Sequence, residues 1–237
     1  MRRIRLTKRL RTLAELARGA GVVADIGCDH GRLAVALLTQ YEVTRVVAAD
    51  ISPAAVVKTL ALARRCGVSE ARLEARVQDG LGGMAAGDAR AIVLAGMGGE
   101  LIASILGANL DFARSCELIM QPMRGVEELR GFLAREGFAV YDERVLVDGG
   151  RFYQVIAARF GELPRALEWY PGDYPLLGEL AFVNTPAEAT EFLEARLRGC
   201  ERRLALVRAR NSSAPALEAE AEGIRRVLAL VRSQLLR

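Results

Sequence analysis

Two rhythms of apolar and polar positions divide this chain. Between residues 22 and 160, short β-rich apolar runs alternate with segments whose apolar residues recur at helical spacing. The runs predict strands at 22–26, 46–50, 73–78, 91–95 and 118–121. Helices are expected between them. The segment after residue 31 is apolar throughout (Leu33 to Leu38), and Ser52 caps a helix that has Pro53 at its first position and ends near Gly67. Residues 101–106 and 126–136 supply two more. An amphipathic helix at 7–18 precedes the first strand, with Leu6, Leu10, Leu13, Leu16 and Ala17 on one stripe and Gly19 and Gly21 ending it. Strand–helix alternation of this kind predicts an α/β fold, a doubly wound parallel sheet covered on both faces. Two final β-rich runs, 139–147 and 152–160, flank a D-G-G turn and read as an antiparallel pair at the sheet edge.

The rhythm changes after Phe160. Residues 161–178 are rich in proline and aromatics (Pro164, Trp169, Tyr170, Pro171, Tyr174, Pro175) and read as a linker or packed loop. Beyond them, Ala189, Leu193, Leu197, Cys200, Leu204 and Val207 recur at steps of four and three, as do Leu217, Ala221, Ile224, Leu228, Val231 and Leu235. Two heptad seams separated by N-S-S-A-P predict an antiparallel, coiled-coil-like hairpin with charged outer faces. Such a hairpin serves packing or dimerisation, or guides a large substrate. The expected organisation is one domain over residues 1–160, including the basic N-terminal helix, and a linker plus two-helix unit over 161–237.

With 237 residues and 51% hydrophobic composition, the chain can bury a full core and a small second unit. No apolar run approaches the roughly 18 residues of a membrane span, and the first strand follows too closely on the basic start for a presequence. A cytoplasmic protein, monomeric or weakly dimeric and without a membrane partner, is expected. Four scattered cysteines and one histidine form no typical zinc set, so no metal is expected. The net charge of +4 is unevenly spread: Arg2, Arg3, Arg5, Lys8, Arg9, Arg11 and Arg18 stand against Glu15 alone. That block is either a phosphate-binding surface for nucleic acid or a solvated helix face.

The chemistry concentrates at residues 22–31, V-V-A-D-I-G-C-D-H-G. Glycines at a strand-to-helix turn permit a tight bend and close ligand approach, and the following helix start offers free N–H groups to an anion. A dinucleotide fingerprint requires a glycine where Asp29 stands; a second carboxylate there would repel a pyrophosphate but tolerate a sulfonium or ammonium cation. Asp25 ends the first strand and Asp50 the second, where a carboxylate can accept from ribose hydroxyls. Ile51 follows it, and Asp79 and Gly80 close the third strand, where an aspartate can accept from an adenine amino group. Gly96, Met97, Gly98 and Gly99 follow the fourth strand and suit an open floor beneath a ligand. His30, inside the first motif, contacts cofactor or substrate or caps the next helix.

D-x-G-x-x-x-G resembles the first motif of class I S-adenosylmethionine (SAM)-dependent methyltransferases, with Asp29 replacing the usual middle glycine. D-I-G-C-D-H-G at 25–31, A-G-M-G-G at 95–99, L-I-M-Q-P at 118–122 and L-T-K-R-L at 6–10 occur in order, followed by the helical hairpin. Together they resemble the bacterial tRNA (adenine-22-N1)-methyltransferase family over almost the whole chain. Departures are Cys28 where serine is frequent, Met123 and Arg124 after Gln-Pro, and the arginine richness.

The resemblance implies a class I methyltransferase Rossmann-like fold and methyl transfer from SAM to N1 of adenosine 22 in tRNA. It implies cofactor contacts from Asp25, Gly27, Cys28, His30, Asp50, Ile51, Asp79, Gly80, Gly96, Met97 and Gly98. Asp29 is the catalytic candidate, stabilising the cationic product ring or hydrogen-bonding the exocyclic amine; binding the SAM amino group is an equal alternative. Arg3, Arg5, Lys8 and Arg9 are candidate tRNA contacts, with Arg9 also able to reach the SAM carboxylate. Gln121 and Pro122, at the carboxyl end of the fifth strand, are placed to line the pocket for an unpaired or flipped base. A small-molecule methyltransferase, a non-catalytic RNA-binding scaffold and an NAD-linked oxidoreductase are the competing classes.

Overall fold

The computed structural model describes residues 3–161, 186–210 and 212–235. Helix α1 spans Lys8–Leu16. The hydroxyl of Thr7 accepts from the Leu10 N–H at 3.4 Å, and the Asp148 carboxylate accepts from the Arg9 N–H at 2.9 Å. A carboxylate at this end is favoured by the helix dipole, and the Arg9 hydrogen bond in turn holds the Asp148 carboxyl below its usual range.

Five parallel strands and their helices follow: β1 (Val22–Ile26), α2 (Arg32–Gln40), β2 (Arg45–Asp50), α3 (Pro53–Arg65), β3 (Leu73–Val77), β4 (Ala91–Met97), α4 (Gly99–Ala108), α5 (Leu110–Arg114), β5 (Glu117–Pro122) and α6 (Val126–Arg135). The antiparallel pair β6 (Phe138–Asp148) and β7 (Arg151–Phe160) completes a seven-stranded sheet of order β3-β2-β1-β4-β5-β7-β6. Strands β1 to β5 are mutually parallel, whereas β7 is antiparallel to both β5 and β6. The expected strands all form, most of them a residue or two longer than the apolar runs alone.

Strands covered on both faces read as continuous apolar runs. One layer packs α1, α2 and α3 on the sheet through Leu13, Leu37 and Ala63; the other packs α4, α5 and α6 through Ile102, Phe112 and Leu129. Helix α5 was not foreseen, because five residues are too short to register a helical period. The strand order reverses between β1 and β4, which opens a crevice at their carboxyl ends. Inside the second layer, the fully buried Arg130 of α6 pairs with the fully buried Glu143 of β6.

The two heptad segments form α7 (Pro186–Ala209) and α8 (Pro215–Leu235). Ion pairs Glu194–Arg232 (2.7 Å), Glu201–Arg225 (3.1 Å) and Arg208–Glu218 (3.3 Å) link early residues of one helix to late residues of the other, so the hairpin is antiparallel. Its seam continues onto the sheet. Val145 joins the buried cluster of Ala189, Leu193, Cys200, Ile224 and Val231, and Phe152 meets Phe192 edge-to-face at 5.6 Å. Arg196 of α7 bridges Glu127 of α6 and Glu220 of α8. The expected proline-rich linker at 161–178 lies, after Gly161, outside the described residues. Among the described residues, no helix is long and apolar enough to cross a membrane.

Candidate functional site

A cavity of about 420 Å³ opens where β1 and β4 end, at the reversal of strand order. The β1–α2 loop makes one wall. Gly27 (φ +75°), Asp29 (φ +49°) and Gly31 (φ +68°) are all left-handed, which turns the chain sharply from strand to helix. The N–H groups of Gly27 and Cys28 both donate to the Ala49 carbonyl, at 2.8 and 3.1 Å, fastening the loop to β2. Gly31 is fixed by a further constraint: a Cβ there would lie 2.6 Å from Cγ2 of Thr59 on α3. Thr59 is fully buried, and its hydroxyl donates to the Asp29 carbonyl at 3.4 Å and contacts the Cys28 sulfur at 3.5 Å. Nothing in the local sequence marks Thr59, whose role arises only from α3 packing beneath the loop.

Asp25 is the strongest electrostatic feature. It is 5% exposed, and its Oδ2 has no hydrogen-bond partner. Burial, reinforced by the charge of Asp50 and opposed by a hydrogen bond from the Ala34 N–H, pushes its carboxyl up to about 7. Burial likewise raises the Cys28 thiol to about 12, so that thiol is an inert wall rather than a nucleophile. Asp29 and His30 stand at the exposed rim. The His30 Nδ1 is 2.6 Å from Asp29 Oδ1, and its Nε2 is 3.5 Å from the Lys58 ammonium nitrogen.

The opposite wall is Ala95, Gly96 and Met97. Gly96 (φ +80°) faces Arg9, whose Nη1 would lie 3.4 Å from an added Cβ. Arg9 therefore points inward. Its guanidinium donates to Gln121 Oε1 at 2.6 Å and lies 5.5 Å from the centre of the Tyr153 ring. Gln121 is fully buried, and its amide also donates to the Pro122 carbonyl, so it anchors Arg9. Arg3, Arg5 and Lys8 are exposed on the outer surface, apart from Arg9.

The cavity thus gathers Asp25, Gly27, Cys28, Asp29, His30, Gly96 and Met97, together with Arg9. Leu10, Arg32 and Leu33 also line it, although the sequence marks none of them as a site residue; the last two follow the glycine motif directly. Asp50, Ile51, Asp79, Gly80 and Gly98 are not in its wall. Asp50 supports it, because its carboxylate accepts from the Asp29 N–H at 3.0 Å and the Ser52 N–H at 2.9 Å. Ile51, 71% exposed, follows Asp50, and Asp79 is exposed at the end of β3. Gly80 packs on Ile105. The glycine cluster after β4 divides in purpose. A Cβ on Gly99 would lie 1.8 Å from the Gly125 carbonyl oxygen, so this glycine, expected as ligand floor, serves close packing against the β5–α6 loop. Among the described residues, no group of three or more His, Cys, Asp or Glu could hold a metal ion.

Residues 6–156 match a family model described as a methyltransferase domain. The chain is 34% identical over 169 residues to the tRNA (adenine(22)-N(1))-methyltransferase of Bacillus subtilis, covering 71% of each protein. The solved structure of the B. subtilis M1A22 tRNA methyltransferase TrmK matches with a TM-score of 0.79 at 26% identity, over 97% of this chain and 98% of that one. The M. capricolum TrmK structure, a complex with S-adenosyl-homocysteine, shares the fold with a TM-score of 0.79 at 18% identity, over 95% of this chain and 99% of that one. The chain belongs to the tRNA (adenine-22-N1)-methyltransferase family.

Proposed function

We propose that this protein transfers the methyl group of SAM to N1 of adenosine 22 in tRNA. The observation that carries the reading is the cavity at the β1–β4 crevice, with an unpartnered buried carboxylate oxygen on one side and an anchored guanidinium on the other. That pairing fits the ammonium and carboxylate of an amino acid, which is what the methionine end of SAM presents. When bound, SAM supplies an electrophilic methyl group on a sulfonium centre.

The chain's own residues then divide the work. Asp25 takes the ammonium, and Arg9, held by Gln121 and Tyr153, takes the carboxylate. Gly27 and Gly96 leave room for close approach of backbone to ligand. Asp50 keeps lone pairs for ribose hydroxyls beyond those used by Asp29 and Ser52, and Ile51 offers an apolar face to adenine. Adenine N1 carries a free lone pair, so the site needs to align it rather than deprotonate it. Asp29, exposed at the rim beside His30, stabilises the positive charge that develops on the ring. Because N1 lies on the pairing edge, the base enters unpaired or flipped. Exposed Arg3, Arg5 and Lys8 contact phosphates, and the hairpin guides the tRNA. On this reading the protein works in the cytoplasm.

Incubating the protein with methyl-labelled SAM and unmodified tRNA, followed by nucleoside mapping, tests the proposal. The expected product is 1-methyladenosine at position 22. Label on another nucleoside, or on no RNA, would reject it.

A further inference from the structure

The sheet has a second open edge, at the amino ends of β1, β4 and β5, and four arginines converge there. Arg18, Arg90, Arg114 and Arg159 line a groove of about 590 Å³ whose only acidic lining residue, among the described residues, is Glu117. Two of the four are already engaged by carboxylates: Arg18 with Glu42 (3.2 Å) and Arg114 with Glu136 (3.3 Å). Arg90 and Arg159 have no carboxylate partner among the described residues. Arg90 is exposed, and Arg159 lies 5.9 Å from the centre of the Tyr141 ring, whose hydroxyl donates to Glu117. Guanidinium groups without a carboxylate partner at an open groove favour an anion with several oxygens.

Helix α1 connects this groove to the catalytic cavity. Its first turn supplies Arg9 and Leu10 to the cavity, while Leu16 and Arg18, at its far end, line the groove. Along the helix Lys8, Arg11 and Glu15 are exposed at spacings of three and four, which puts them on one face, and exposed Arg18 follows just past its end. Glu15 is the sole acid of that stripe and is neutralised by Arg144 at 3.9 Å. At ~1.5 Å per residue the stripe spans about 15 Å, a few nucleotides of backbone.

From this geometry we infer that the arginine groove is a second phosphate-binding site for the tRNA backbone, reached along the exposed face of α1 from the catalytic cavity. The inference rests on the proposed tRNA substrate and extends the interface to the edge of the sheet opposite the reaction. A polyanion running along α1 meets Lys8 and Arg11 before the groove, with Glu15 and Arg18 each paired to an opposite charge, whereas a small free anion would gain nothing from the stripe.

The test is the double variant Arg90→Ala/Arg159→Ala, which leaves both arginine–glutamate pairs intact and touches no cavity residue. Loss of two phosphate contacts, each worth ~0.7 in the log–log salt slope, weakens tRNA binding about tenfold at about 0.15 M salt and flattens the slope by about 1.4. KM for tRNA rises accordingly while kcat and the SAM dissociation constant stay constant. Arg90→Lys/Arg159→Lys, which keeps the charge, retains most of the salt slope; a purely structural role of the arginines would instead lower the thermal midpoint in both variants. Wild-type protein that neither binds nor methylates tRNA would overturn the functional reading itself. Normal wild-type activity with an unchanged tRNA affinity and salt slope in the alanine variant would overturn the groove alone. Weakened binding of inorganic phosphate with unchanged tRNA affinity would also overturn it, by making the groove a small-anion site.

Discussion

Asp25→Asn separates the electrostatics of the cavity from its shape. The folded protein holds the Asp25 carboxyl at about 7, against an ordinary value of 3.8, mainly because burial disfavours the charged form. A raised carboxyl means that the folded state binds more protons than the unfolded state between those values, so stability falls as pH rises through that window. Below pH 3.8 both states are protonated and the effect vanishes. Above 7 both are ionised, and the full cost is about 4 kcal/mol, some three pH units at ~1.36 kcal/mol each. Between pH 5 and pH 8 the loss is about 2.5 kcal/mol on the same arithmetic.

Asparagine keeps the acceptor for the Ala34 N–H but buries an amide group where Oδ2 now lies unpartnered, at a cost of about 1–3 kcal/mol that does not vary with pH. The informative quantity is therefore the slope. Urea unfolding of both proteins at matched pH values should show wild-type stability dropping by about 2.5 kcal/mol relative to the variant from pH 5 to pH 8. Saturating SAM should shrink that difference, because an ammonium beside Asp25 restores its ionised form. Parallel stability profiles for the two proteins would refute the reasoning and mean that water reaches the carboxylate.

Asp50→Ala should weaken SAM binding by about 1.5–3 kcal/mol, measured by calorimetry, because it removes both the ribose acceptor and the brace on the Asp29 N–H. Asp29→Asn keeps shape and hydrogen bonding but deletes charge; kcat should fall more than tenfold, about 1.4 kcal/mol or more of transition-state stabilisation, with little change in tRNA binding. Near-normal turnover at saturating substrates would make Asp29 a binding residue only. Gly99→Ala forces a Cβ against the Gly125 carbonyl oxygen, so the chain must shift; a loss of about 3 kcal/mol or more in unfolding free energy is expected. An unchanged midpoint would show that the β5–α6 loop yields freely.

Local signals carried much of this protein into its sequence. Both-face burial writes β2 and β4 as largely apolar runs, Ser52 and Pro53 announce α3, and the heptads of α7 and α8 declare their seam, because each depends on neighbours a few residues away. The glycine motif at 25–31 likewise fixed where the cavity would open. Burial and distant neighbours decided the rest. In the sequence Arg9 stands in a row of basic residues and could face either the RNA or the cavity; the approach of β5 and β7 turns it inward onto Gln121 and Tyr153. Gly99 reads as ligand floor until Gly125, 26 positions later, is brought against it. Thr59, the raised carboxyl of Asp25 and the four-arginine groove have no linear signature at all. Periodicity reports which face of an element is covered. Only the folded chain determines which distant atoms cover it, and the charges and close contacts of the site are set by those atoms.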